Sequence, residues 1–353
     1  MVPGMECDGG PECHDGMFVF RFADPDRRLA GVRLAQHAGL NGVDFEHVDG
    51  AWCLTTPRPP IQRLEYLFEL RHHDGGTELV CDPHNPLRVG GAFGDKSVME
   101  CPGYTPPYWL SLPGAEGSWH ELTLPAPGIR AHVGVRVWSP AVPTGRILLA
   151  HDGPEYDRIG GLVHYSTALQ GSARLPPHHL VLVDPGDRNE WYSASPAYSW
   201  TFASDILPRV YAELGTTEPV VGMGASLGGL AMLHAQRRFP AAFAGLFLQS
   251  GSFFVPRHDR QESGFRRWLR IVRFTGRVHR ADDGPSVPTV LTCGTVEENL
   301  PNNRQMARTL ARQGYPVELH EVPDAHNYTG WRDAFDPYLT GLLLRVWAPE
   351  ATV

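Results

Sequence analysis

The chain has 353 residues, 42% of them hydrophobic and 20% charged, with a formal net charge of −8. This is the composition of a folded globular protein with room for two or three domains, and it excludes a disordered chain. The acidic balance argues against general nucleic-acid binding, and no run of about 18 apolar residues is present to span a membrane.

Residues 1–16, MVPGMECDGGPECHDG, read as a flexible N-terminus. They lack the basic and apolar regions of a signal peptide, so a cytoplasmic location is expected. The six cysteines, Cys7, Cys13, Cys53, Cys81, Cys101 and Cys293, show no repeated spacing. Cys7, Cys13 and His14 fall short of the four ligands of a structural metal site, so free thiols and no bound metal are expected.

From Met17 the pattern is that of strands: Phe18 to Ala23, Leu29 to Leu34, Phe45 to Leu54 and Arg63 to Arg71, separated by Asp, Pro and Gly clusters. Leu64, Tyr66, Phe68 and Leu70 alternate with Arg63, Glu65 and Glu69, the period of a strand with one buried face. Residues 17–112 are therefore read as a β-sandwich domain. Its tail is rich in proline and aromatic residues, including Tyr104, Tyr108 and Trp109. These either pack at a domain junction or touch substrate.

Residues 113–353 read as an α/β domain. Apolar strands at Ile147 to Ala150, Leu180 to Val183, Val220 to Val221, Leu246 to Leu248, Val287 to Cys293 and Val317 to Val322 alternate with helical segments near Thr201 to Leu214, Leu227 to Arg238 and Asn303 to Arg312. Such alternation makes a parallel sheet covered by helices on both faces, with the active site at the carboxyl ends of the strands.

The segment Gly224-Ala225-Ser226-Leu227-Gly228 lies between a strand and a helix and fits Gly-x-Ser-x-Gly, the nucleophile elbow of α/β-hydrolases. A serine in that sharp turn needs small residues two before and two after it, which Gly224 and Gly228 supply. The backbone N–H of Leu227, at the start of the helix, is placed to stabilise an oxyanion. The second donor should come from the loop after Ile147 to Ala150. Pro154 has no N–H, which leaves Gly153 or Glu155.

Glu297 and Glu298 follow one later strand, and His326 follows the last, so the order Ser, acid, His is that of the hydrolases. His326 would accept the Ser226 proton, and a carboxylate would fix its tautomer. Only one of two adjacent glutamates can point inward; Glu297 is taken as the acid with Glu298 as the alternative. Asp324 lies too close to His326 along the loop.

The segments HDGPEYDR, GMGASLGGLAMLHAQRRFPAAFAGLFLQSGSFF, CGTVEENLPNNRQMARTL and DAHNYTGWRDAF resemble the enterochelin (ferric enterobactin) esterase family of the wider esterase D group. DPHNP and KSVMECPGYTPPYWL are similar to that family's N-terminal immunoglobulin-like domain, so the likeness spans most of the chain. It implies an early-set β domain ahead of an α/β-hydrolase, and hydrolysis of the serine trilactone of a catecholate siderophore with release of iron in the cytoplasm. Pro154 stands where relatives often carry a free N–H. No cofactor is implied, and iron would arrive with the substrate. The same motifs occur in feruloyl and acetylxylan esterases and mycolyltransferases, so acyl transfer or aryl or carbohydrate ester hydrolysis on the same triad is the alternative. The oligomeric state is left open.

Between Phe253 and Arg280 lie eight arginines, among them Arg257, Arg266 and Arg267. Guanidinium groups suit an anionic aromatic ligand. The other reading is a solvated amphipathic helix in which Phe265, Trp268, Leu269 and Val272 pack inward. Arg257, Arg266, Arg267, Tyr156 and Trp109 are the candidate substrate-binding residues.

Overall fold

The computed structural model describes residues 10–91 and 94–348. Cys7 lies outside the described residues, as does most of the segment read as a flexible N-terminus. The chain divides into two compact units, one of residues 1–105 with Gly294–Glu297 and Pro323–Asn327, the other of the remainder.

Among the described residues the first unit holds nine strands: β1 (Glu12–His14), β2 (Met17–Ala23), β3 (Leu29–Gln36), β4 (Glu46–Val48), β5 (Ala51–Pro57), β6 (Arg63–His72), β7 (Thr77–Val80), β8 (Arg88–Val89) and β9 (Lys96–Glu100). They form one sheet in the order β1-β2-β5-β4 and a second in the order β3-β6-β9-β8, with β7 also on β6. The alternating residues of β6 face the core: Tyr66 and Phe68 are fully buried, and Phe18, Phe20 and Phe45 pack around them with ring centroids 5.0–6.4 Å apart.

Two expectations are corrected here, both at Asp-Gly pairs. Residues 12–14 are not a loose end, because Asp15 and Gly16 both adopt positive φ and fold β1 back on β2. The run from Phe45 to Leu54 is not one strand, because Asp49 and Gly50 turn the same way between β4 and β5. Positive φ at two successive residues gives the hairpin turn whose twist matches that of the strands.

Among the described residues the second unit is built on an α/β-hydrolase sheet of eight strands: β10 (Gly117–Ala126), β11 (Ala131–Pro140), β12 (Ile147–Ala150), β13 (His179–Val183), β14 (Val220–Ala225), β15 (Phe243–Gln249), β16 (Thr289–Gly294) and β17 (Val317–Val322), in the order β10-β11-β13-β12-β14-β15-β16-β17. β12 to β16 pair in parallel, while β10 and β11 form an antiparallel edge. β12 to β14 are buried at every residue, as strands covered on both faces must be.

Two cores flank this sheet. One is built with helices Leu227–Arg238, Trp268–Arg280 and Leu300–Arg312, the other with Leu162–Gly171, Tyr328–Asp333 and Thr340–Val346. Among the described residues, no helix is long and apolar enough to cross a membrane, and no group of three or more His, Cys, Asp or Glu is arranged to hold a metal ion.

Candidate active site

β14 ends at Ala225 and the helix Leu227–Arg238 begins one residue later, which leaves Ser226 alone to make the turn. It does so at φ 55°, ψ −121°, a conformation that costs a non-glycine residue of order 1–3 kcal/mol. The turn closes because Gly224 and Gly228 have no side chains. A Cβ on Gly224 would lie 2.5 Å from the Gly228 carbonyl carbon, inside any van der Waals contact. Ser226 donates its N–H to the Gln249 carbonyl at 2.8 Å, and its side chain is half-buried. Leu227 is the first helical residue, so its N–H has no carbonyl within the helix to bond.

The loop after β12 lies beside the elbow. His151 donates its N–H to Met223, Asp152 turns the chain at φ 53°, and a short helix starts at Gly153. Gly153 is packed so closely on Leu182 that a Cβ would lie 2.5 Å from it. Its N–H and that of Glu155 both fall in the first turn, where no carbonyl within the helix is available, and the Glu155 N–H bonds its own carboxyl. The Glu155 carboxyl is part-buried, Oε2 has no hydrogen-bond partner among the described residues, and burial with help from the Asp152 charge raises its pKa.

His151 is fully buried, stacked on Tyr192 at 4.4 Å, with Nδ1 3.3 Å from the Gly228 carbonyl and Nε2 2.9 Å from the Tyr198 hydroxyl. Burial pushes its pKa down to about 3, so it stays neutral and ties the loop to the elbow helix.

Three features near Ser226 were not singled out from sequence. Arg188 clamps buried Asp152 with two bonds of 2.7 and 2.8 Å and reaches the Ala225 carbonyl at 3.3 Å. The Ser252 hydroxyl lies 3.1 Å from Ser226 Oγ. Asn303 bonds both backbone groups of Gly251, beside Ser252. For Arg188 and Ser252 a usable signal exists, since both follow strands whose carboxyl ends define the site.

His326 and Glu297 belong to the first unit, in the loops after β17 and β16. His326 Nδ1 is 2.7 Å from Glu297 Oε2, and Oε1 accepts the Gly294 N–H at 2.7 Å. Glu297 is thus buried and held on both oxygens. Glu298 is exposed and accepts a bond from Gln261 at 3.1 Å, so the geometry separates the two glutamates.

The same loops are tied to the β domain. Gln62 donates its N–H to the Pro323 carbonyl at 2.9 Å, Thr295 Oγ1 bonds the Pro60 carbonyl at 2.8 Å, and Ala325 is buried in the sandwich core. Asp324 lies 3.7 Å from the buried Arg63 guanidinium. Burial pushes its pKa up to about 6 despite that positive neighbour.

The arginine segment divides. Arg267 and Arg270 both bind Glu190, and Arg270 also bonds the Ser193 carbonyl at 2.6 Å. Helix Trp268–Arg280 buries Ile271, Phe274, Thr275 and Val278, with Phe265, Trp268 and Val272 half-buried against the same core, so that part of the segment is an amphipathic helix; Leu269, expected to pack inward, is instead 64% exposed. Arg257 and Arg266 are exposed.

Two candidate binding residues are corrected. Tyr156 and Trp109 are both fully buried. Tyr156 donates its hydroxyl proton to Gln249 at 2.8 Å, and Trp109 packs on Phe335 and Tyr165. Their rings are part of the helix-covered core.

The family model "Putative esterase" matches residues 128–342. The iron(III) enterobactin esterase of Escherichia coli O6:H1 is 25% identical over 350 residues, covering 92% of this chain and 82% of the relative. Among solved structures, the enterobactin esterase of Shigella flexneri, determined in the presence of enterobactin, aligns with a TM-score of 0.75 at 20% identity, covering 96% of each chain. The ferric enterobactin esterase of Salmonella typhimurium aligns with a TM-score of 0.78 at 19% identity over the same share of both chains. These structural likenesses carry the fold, and the family match, which spans more than half of the chain, carries the assignment: the chain belongs to this esterase family and is a carboxylic ester hydrolase.

Proposed function

We propose that the protein is a serine esterase that opens the ester bonds of a catecholate siderophore trilactone, with Ser226 as nucleophile, His326 as general base and Glu297 as the acid that orients it. The observation that carries this reading is the strained turn at Ser226, which exposes one hydroxyl between a strand end and a helix N-terminus. His326, held in one orientation by Glu297, takes the serine proton as Oγ attacks the ester carbonyl. The N–H groups of Leu227 and of Gly153 or Glu155 receive the oxyanion. His326 then protonates the leaving alkoxide, and water repeats the sequence on the acyl-enzyme.

The siderophore part rests on the iron(III) enterobactin esterase relative, whose likeness runs through both halves of the chain. Exposed Arg257 and Arg266 supply positive charge for an anionic ligand, and iron comes and goes with that substrate. The setting is the cytoplasm, where hydrolysis lowers the chelator's hold on iron.

A fluorophosphonate should label wild type at Ser226, leave Ser226→Ala and His326→Ala unlabelled, and abolish aryl ester hydrolysis in step with labelling. Hydrolysis that survives complete labelling would overturn the triad. Partition of the acyl group between water and an added alcohol separates hydrolysis from acyl transfer, and water is expected to win.

A further inference from the structure

The loop after β15 places a second hydroxyl against the proposed nucleophile. Ser252 is 2% exposed, its Oγ lies 3.1 Å from Ser226 Oγ, and its N–H donates to the Ser226 carbonyl at 3.0 Å. One side-chain and one main-chain contact therefore fix Ser252 on the same residue.

The loop carrying it is braced from several sides. Ser250 turns the chain at φ 48°, donates its N–H to Thr292 at 2.7 Å, and accepts the Trp331 Nε1–H on its hydroxyl at 2.9 Å. Asn299 Nδ2 donates to the Ser250 carbonyl at 3.2 Å. Asn303, fully buried, accepts the Gly251 N–H at 3.0 Å and donates to the Gly251 carbonyl at 2.9 Å. Its neighbour Asn302 donates to buried Asp259 at 2.8 Å. Buried polar groups are costly unless satisfied, and a satisfied network holds its members in one arrangement. This one terminates at the Ser226 hydroxyl.

We propose that Ser252 is a further catalytic residue, whose hydroxyl donates a hydrogen bond to Ser226 Oγ while Asn303 holds the loop that presents it. The proposal rests on Ser226 being the nucleophile. In acylation the Ser226 proton passes to His326, Oγ bonds the acyl carbon, and the carbonyl electron pair moves to oxygen and returns as the alkoxide leaves with that proton. In deacylation water gives a proton to His326 and attacks the same carbon, and Ser226 Oγ leaves and is reprotonated. Ser252 keeps its own proton throughout. Its bond steadies Oγ when that oxygen carries most charge, and leaves the Ser226 proton free to point at the base.

The test compares wild type, Ser252→Ala and Ser252→Cys, the last keeping the shape but donating weakly. The readouts are the second-order rate of fluorophosphonate labelling at Ser226, kcat and KM for a neutral aryl ester, and the thermal midpoint. Both variants should slow labelling and kcat by about tenfold to a hundredfold, with KM and the thermal midpoint near wild type. Ser252→Ala within twofold of wild type would overturn the proposal, and so would Ser252→Cys at the wild-type rate, which points to packing. Asn303→Ala added to Ser252→Ala should slow labelling no further; a full additional loss would overturn the positioning role of Asn303. Ser226→Ala, assayed alongside, reports separately on the nucleophile: label or turnover there sinks the underlying reading, whatever Ser252 does.

Discussion

At Ser226 the backbone holds strain so that a hydroxyl can stand clear of its own chain, and the residues around it are chosen by sterics. Gly224→Ala would set a methyl group 2.5 Å from the Gly228 carbonyl carbon. It should cost about 3 kcal/mol or more of stability in urea unfolding and abolish labelling by fluorophosphonate, because strand and helix can no longer approach. The acid can be tested as cleanly. Glu297→Gln keeps the shape but lets the imidazole take the wrong tautomer, so kcat should fall roughly a thousandfold or more. Glu298→Gln, altering an exposed group that touches Gln261, should leave kcat within about twofold. Equal losses in the two variants would contradict the assignment of Glu297.

The elements divide the labour between rigid strands and the loops that follow them. The loops bearing Glu297 and His326 are bonded to Gln62, Pro60 and Arg63 of the β domain. Arg63→Met should therefore lower kcat severalfold through those loops while KM stays near wild type, a split that steady-state kinetics on an aryl ester reads directly. The arginine helix divides in the same way. Arg270→Ala removes bonds to Glu190 and Ser193 and should cost about 1–2 kcal/mol with no change in substrate preference. Arg266→Glu should instead raise KM for anionic esters and leave neutral ones unaffected; a uniform effect on both would remove Arg266 from the binding residues.

Much of this was legible in the chain because the signals are local. Glycines two before and after a serine mark the elbow, and Glu297 and His326 lie in the loops after β16 and β17, of which β16 is buried throughout and β17 alternates Val, Glu, Leu, His, Glu and Val with no fully buried residue. Long-range pairings were not legible: Asp152 meets Arg188 across 36 residues, Ser226 meets Ser252 across 26, and Glu190 meets Arg270 across 80. Tyr156 and Trp109 were misplaced for the same reason. A polar tip on an aromatic ring suits a binding site or a core equally, and only the packing of Gln249 and Phe335 decides.

On the scale of the whole molecule, buried histidines set the response to acid. Burial lowers the pKa of His151 and His234 to about 3 and that of His178 to about 4. All three stay neutral when folded, whereas in the unfolded chain they take up protons below about pH 6.5. Their contribution is complete above that value, shrinks as pH falls from there toward the folded pKa values, and is reduced by about 2 kcal/mol each by pH 5. His178→Gln, at a site that bonds Ser166 and Pro176, should remove about that share of the difference between urea midpoints at pH 7.5 and pH 5. An unchanged difference would mean that His178 titrates normally.

The most direct test of a siderophore esterase is mass-resolved hydrolysis of a catecholate trilactone, ferric and metal-free, by wild type beside Ser226→Ala. Linear trimer, then dimer, then monomer are expected from wild type alone. A wild-type enzyme that leaves the trilactone intact while still cleaving a simple aryl ester would keep the serine esterase and contradict the siderophore.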